Sequence, residues 1–296
     1  MLRRGTVFLA MYLIRLALLK HAKSCVIIVS LGLILSRAHA EDYGQASSLD
    51  KPSAQALIAK FREASPASAY YLEFTLNLIP RHADTTRIPG RLWASHNLLG
   101  NIWRIELNPG QLNEKRYIIQ NGSNASVWQC DLHGTSPNVR RVSLLTALFE
   151  GSEISAFDLQ MPYLYWPDIQ VLGLSRIRGR PSYQFVFKAP SALALESVPV
   201  GGVRAYLDTQ YNAPVQTELI SNLGKILKTL TLGDLKKIQG QWIPKTIDMR
   251  NELTRNKTQF EVNSGVLGLE LARSVFNPAD LPTKVIPPLQ TELTLF

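Results

Sequence analysis

The sequence predicts an α+β protein, mainly antiparallel β, with about ten to twelve strands, a leading helix and a helical insertion. Three observations predict it. From residue 71 onward, apolar and polar residues alternate with a period of two, the mark of strands with one buried face. Short turn signals separate these runs at hairpin intervals. Only residues 53–65 and 142–166 break the alternation. The chain has 296 residues, 46% hydrophobic and 19% charged, which supplies a core and excludes a disordered chain.

Residues 1–40 read as an export signal. The stretch up to Lys23 is basic, Cys25–Ser36 is a short apolar run, and Ala38-His39-Ala40 is a small-x-small cleavage site. The run is too short to cross a bilayer, which needs about 20 residues. The long basic start admits two readings: translation beginning at Met11, or a retained anchor; the cleavage site favours removal. No lipid-attachment cysteine follows, since Ala40 precedes Glu41. The expected location is therefore the periplasm, without an acyl anchor. The leader also carries much of the net charge of +9. Beyond it, 26 of the 32 basic residues face 23 acidic ones, an ordinary surface that makes no case for nucleic acid. Only Cys130 remains beyond the leader, which excludes a disulfide scaffold and fits a small buried strand residue.

Residues 53–65 form a helix, because Ala54, Leu57, Ile58 and Phe61 fall on one stripe, with Asp50 and Pro52 as start signals. Strands follow over 71–78, 91–95, 102–107, 115–120 and 125–131. In the first of these Leu72, Phe74, Leu76 and Leu78 share one face; in the third Trp103, Ile105 and Leu107 oppose Arg104 and Glu106. Residues 142–150 are apolar and helix-compatible. Residues 153–166 are apolar too, but Pro162 and Pro167 forbid one long helix, so a mobile, partly helical insertion is expected. Further strands are expected over 169–177, 183–188, 203–208, 215–220, 225–235, 241–249 and 257–262. Prolines 278, 282, 287 and 288 suggest that one domain spans 41–281 and a proline-rich tail spans 282–296.

Catalytic and metal motifs are missing. His82, His96 and His133 stand apart from other ligands at metal spacing, and no nucleophile elbow, P-loop, H-E-x-x-H or G-x-G-x-x-G occurs. A hydrolase on His96 or His133 would need a distant Ser and Asp that no motif marks. A non-enzymatic protein without cofactor or metal, working as a monomer, is expected. The chain is instead rich in large apolar side chains, including Trp93, Trp103, Trp128, Trp166 and Trp242. They either fill an ordinary core, the safer reading for Trp103, or line a hollow that one short helix cannot fill under a strongly curved sheet.

Several segments resemble the LolA/LolB-like superfamily, in its outer membrane lipoprotein-sorting branch. They are Gly90-Arg91-Leu92-Trp93 with Asn97 to Arg104, Tyr117 to Ser123 with Val127-Trp128, Phe149 to Glu153 with Asp158-Leu159, Tyr206-Leu207-Asp208, Gly224 to Leu230, Gly240 to Pro244 with Thr258, and Phe276-Asn277-Pro278. Their order and spacing, over residues 53–281, carry the resemblance. It implies an incomplete β-barrel closed by a helical lid, and a periplasmic carrier or chaperone that shelters lipoprotein acyl chains, or another lipid, between membrane-bound donor and acceptor proteins. The family places an Arg-Pro pair after the second-strand Trp, its Arg holding the lid; His96-Asn97 stands there in this chain. Leu72, Phe74, Leu76, Trp93, Trp103, Ile105, Val127, Ile247 and Phe260 are the expected lipid-binding residues of the sheet. Phe149, Phe157, Leu159, Met161 and Tyr165 are those of the lid, where aspartate at 157 or 159 is expected to cut lipid uptake without unfolding. The alternative is an envelope-stress module of the same fold that senses lipid through a partner protein.

Overall fold

Asp50 starts the first helix, α1 (Lys51–Glu63), by accepting a hydrogen bond from the Ser53 amide at 2.9 Å. The cap sets the start two residues earlier than the apolar stripe suggests. Ala54, Ile58 and Phe61 are buried, as that stripe requires. The computed structural model describes residues 49–63, 66, 68–132, 137–191, 200–208 and 213–296. The leader and His133 lie outside these residues.

Six strands follow α1 as successive antiparallel hairpins: β1 (Ala69–Ile79), β2 (Thr86–Asn97), β3 (Gly100–Leu107), β4 (Lys115–Gln120), β5 (Ser126–Asp131) and β6 (Asn138–Val142). After a short helix, α2 (Ala156–Gln160), and a 3-10 turn (Pro162–Tyr165) come β7 (Ile169–Ile177), β8 (Arg180–Lys188), β9 (Val200–Asp208), β10 (Ala213–Ser221) and β11 (Ile226–Leu232). A detached hairpin, β12 (Leu235–Ile238) and β13 (Gln241–Pro244), precedes β14 (Thr246–Asn251), β15 (Lys257–Leu269) and the closing β16 (Thr294–Leu295). The main sheet is 14-stranded, ordered β6-β5-β4-β3-β2-β1-β15-β14-β11-β10-β9-β8-β7, with β16 on β15. It is curved but not closed into a barrel. Its free edges, β6 and β7, are consecutive in sequence, so residues 143–168 join one edge to the other.

The strands outnumber the expected ten to twelve for local reasons. β6 is too polar to show an alternation. The run 225–235 breaks at Gly233-Asp234, and 241–249 breaks at Lys245, where the chain enters and leaves the detached hairpin. Gln239 and Gly240 turn that hairpin with φ of 45° and 87°, the doubly positive turn that matches strand twist. Residues 142–150 are not helical: Val142 ends β6, and the rest form turns and a bridge from Ala147 to Ser155.

The inner face of the sheet, which the insertion covers, carries the main cores. One gathers Leu72, Phe74, Leu76 and Leu78 with Ile105, Phe260 and the insertion residues Leu148, Ile154 and Leu159. The other joins α1 to β8, β9 and β10 through Phe157, Tyr163 and Trp166. The outer face is buried as well, since residues 271–296 run back across part of it: Tyr71, Trp93 and Val275 form one cluster there, and Cys130 and Leu281 another. The proline-rich segment thus continues the fold beyond Leu281.

This cover explains why charged residues alternate on β3 and yet are buried. Arg104 is fully enclosed, bound to Glu106 at 3.0 Å and donating to the backbone oxygens of Leu281 (3.1 Å) and Thr283. Arg116 donates to the Pro282 oxygen and pairs with Glu114 at 2.6 Å. Removing one partner leaves the other charge buried and alone. Arg104→Ala should lower stability by about 3–5 kcal/mol, read by urea unfolding; a loss below about 1 kcal/mol would show that the pair behaves as a surface pair.

Candidate functional site

An apolar cavity of ≈ 240 Å³ lies under the inner face, and four elements wall it. The sheet contributes Tyr70, Leu72, Trp103, Ile247 and Phe260; α1 contributes Phe61 and Arg62. The insertion contributes Leu159, Met161, Leu164 and Tyr165; the detached hairpin contributes Leu235, Trp242, Ile243 and Pro244. A second hollow, between the start of α1 and β7, is more polar, with Lys51, Gln55, Asp168 and Gln170 in its wall. Burial pushes the Tyr70 phenol well above its usual range, the Trp103 indole only partly offsetting it. The phenol stays neutral, and Arg62 is the one basic or acidic residue among the described wall residues.

Seven of the expected site residues line this cavity: Leu72, Trp103, Leu159, Met161, Tyr165, Ile247 and Phe260. Phe74, Leu76, Ile105 and Val127 share the same face, and Phe149 of the insertion packs against it, but all five lie in the neighbouring core. Trp103 lies at the cavity and not in a closed core. Trp93 is corrected: strand parity turns Leu92 and Ala94 inward, so the indole points outward, 5.1 Å from the Tyr71 ring. Phe157 is corrected too. It packs with Tyr163 and Trp166, both at 5.9 Å between ring centres, in the core beneath α1. An aspartate there would bury a charge and unfold the region, not test a lid.

The insertion packs as a plug against the inner face. Its base is tied to the sheet by polar contacts. Tyr117 Oη donates to the Leu148 oxygen at 2.7 Å, Lys228 Nζ donates to the Glu153 oxygen at 2.6 Å, and the Glu153 amide donates to Thr258 Oγ1 at 2.9 Å. Asp158 accepts from the Ser155 amide at 2.8 Å and starts α2. Met161, at φ 50°, then turns the chain so that Tyr163 enters the core while Tyr165 faces the cavity.

Two residues outside the expected site set hold the tip. Arg62 donates to the Leu164 oxygen through Nε at 2.8 Å and Nη2 at 2.5 Å, and its guanidinium lies 4.8 Å from the Tyr165 ring centre. Asn121 Nδ2 donates to the Gln160 oxygen at 2.6 Å. The turn bearing Asn121 needs glycine next, because a Cβ at Gly122 would stand 2.1 Å from the Leu99 oxygen. His96 is exposed, and Asn97 bonds to Gln120 at 2.8 Å and to the Leu99 amide at 2.9 Å. The expected latch position therefore shapes a turn, and the contacts with the insertion's tip come from Arg62 on α1 and Asn121 in the turn after β4. Arg62 lies off the apolar stripe of α1.

Among the described residues no group of three or more His, Cys, Asp or Glu is placed to hold a metal, and no helix is long and apolar enough to cross a membrane.

A family model described as an uncharacterized protein matches residues 135–283. No curated protein matches the chain. Among solved structures, a domain from Vibrio parahaemolyticus named for outer membrane lipoprotein sorting is 17% identical, with a TM-score of 0.65, over 76% of this chain and 97% of that one. A DUF1329 family protein from Desulfovibrio piger is 14% identical, with a TM-score of 0.65, over 78% and 98%. A LolA superfamily protein from Nitrosomonas europaea is 16% identical, with a TM-score of 0.59, over 76% and 97%. The chain has the LolA-like fold.

Asn121→Ala removes the donor that meets the buried Gln160 oxygen. It should cost about 1–3 kcal/mol and speed amide exchange across residues 159–165. Unchanged exchange there would mean that the tip is held without Asn121.

Proposed function

We propose that this chain, which belongs to the family whose model matches residues 135–283, is a periplasmic binder and carrier of acyl chains, those of lipoproteins or of another lipid. The observation that carries this reading is the apolar cavity between the sheet, α1, the insertion and the detached hairpin. The three solved relatives share this fold, and the names of two of them point to lipoprotein sorting or the LolA superfamily.

Magnitudes decide how such a site works. Burying a methylene contributes about 0.8 kcal/mol, so a chain of about 15 carbons would gain on the order of 12 kcal/mol. That extracts lipid from water but opposes release, so part of it must be offset by opening the protein. At ≈ 240 Å³ the cavity is smaller than the usual ligand pocket of about 300–1,000 Å³. A full chain therefore requires a wall to move.

The cost of moving differs between walls. Lifting the plug would expose Phe157, Tyr163 and Trp166 and break its polar ties, on the order of 5–9 kcal/mol for the three rings alone. Swinging the detached hairpin would expose Ile238 and Ile243, on the order of 3–6 kcal/mol. The hairpin belongs to no ladder of the main sheet, so its motion breaks no strand pairing there. The reading therefore assigns the moving wall to β12–β13 and the fixed wall to the insertion.

Titration with dansyl-undecanoic acid, together with mass spectrometry of lipid retained through purification, tests this. The wild-type chain should bind the probe. Ile247→Trp, which fills the cavity from β14, should weaken binding by about tenfold or more while the melting temperature stays within a few degrees. Undiminished uptake by Ile247→Trp would place the acyl site elsewhere.

A further inference from the structure

The detached hairpin carries an unusual surface. Trp242 lines the cavity and is still 55% exposed, so it stands where the cavity meets solvent. It is paired across the hairpin with Lys237, whose Nζ lies 5.5 Å from the indole ring centre. Lys236, paired with Ile243, is exposed on the hairpin's other face, and neither lysine joins an ion pair among the described residues. Residues 234–245 hold three lysines against one aspartate, Asp234 at the hairpin's base.

We propose that the β12–β13 hairpin is a membrane-docking element that sets the cavity mouth on an anionic bilayer, with Trp242 in the headgroup region and Lys236 and Lys237 against lipid phosphates. Three physical arguments support it. Tryptophan is the side chain that prefers the boundary between hydrocarbon and water. Lysines that join no ion pair gain attraction near an anionic surface, which salt screens. An acyl chain that entered from water would first lose the hydrocarbon's own burial, whereas a mouth set against lipid lets the chain pass between two apolar phases. The last argument rests on the acyl-binding reading above; the first two do not. The same contact would draw on the hairpin, the wall that must move.

The test is co-sedimentation of the full chain with vesicles of phosphatidylcholine containing phosphatidylglycerol, run beside dansyl-undecanoic acid titration without vesicles. Wild-type protein should bind the anionic vesicles and release them in high salt. Lys236→Gln and Lys237→Gln should each weaken vesicle binding about fivefold, and together should leave the uptake of soluble probe unchanged. Brominated lipid should quench tryptophan fluorescence, and Trp242→Phe should remove most of that quenching. Leu223→Ala, at a 91% exposed position outside the cavity wall, should change nothing. Failure of the wild type to bind anionic vesicles, or equal binding by the double lysine variant, overturns the inference even if the soluble probe is taken up. Vesicle binding that depends on Trp242 and the lysines, with no probe uptake, upholds the docking surface and removes the acyl-binding reading instead.

Discussion

A curved sheet with two free edges leaves an apolar inner face that must be covered by its own chain. That constraint governs the rest of this molecule. β6 and β7 are the edges, and the segment between them in sequence is the one that spans the gap. Residues 143–168 therefore serve two purposes at once. They connect the edges, and they bury Leu148, Ile154, Phe157 and Tyr163 into the two inner cores. The cover is covalently part of both edges and is tied by Lys228, Thr258 and Tyr117, the contacts on which its proposed role as the fixed wall rests.

What the cover does not fill is the cavity near α1 and the detached hairpin. Here the holding contacts are few and named: Arg62 on the Leu164 oxygen, Asn121 on the Gln160 oxygen, and the two isoleucines of the hairpin in the core. The opposite side of the sheet is built on other physics. Buried arginines on β3 and β4 donate to backbone oxygens of the closing segment, so the outer face is partly ionic.

Much of this was legible in the residues. The period-two pattern of β1 placed Leu72, Phe74 and Leu76 on one face, and the structure puts all three inside. The same parity rule turns Trp93 outward, against the expectation that a large aromatic near the family motif would line the hollow. The apolar richness of 153–166 signalled a cover but not its stiffness, because the pattern alone does not separate Tyr163, which enters the core, from Tyr165, which faces the cavity. The closing segment was hidden by its prolines, which mark the end of regular structure without saying that the chain packs. The detached hairpin was hidden because residues 225–249 read as two continuous strands with one turn at Gln239-Gly240. Arg62 was hidden because a cation beside an apolar stripe looks the same whether it faces water or a backbone oxygen.

The division between a fixed plug and a moving hairpin is the central claim. Hydrogen exchange read by mass spectrometry, with and without dansyl-undecanoic acid, measures it directly. Amides of residues 235–244 should change their exchange when the probe binds, while those of 148–158 and 162–166 keep the protection they have without it. Loss of protection across 148–166, with the hairpin unaffected, would contradict the account and make the insertion the part that opens.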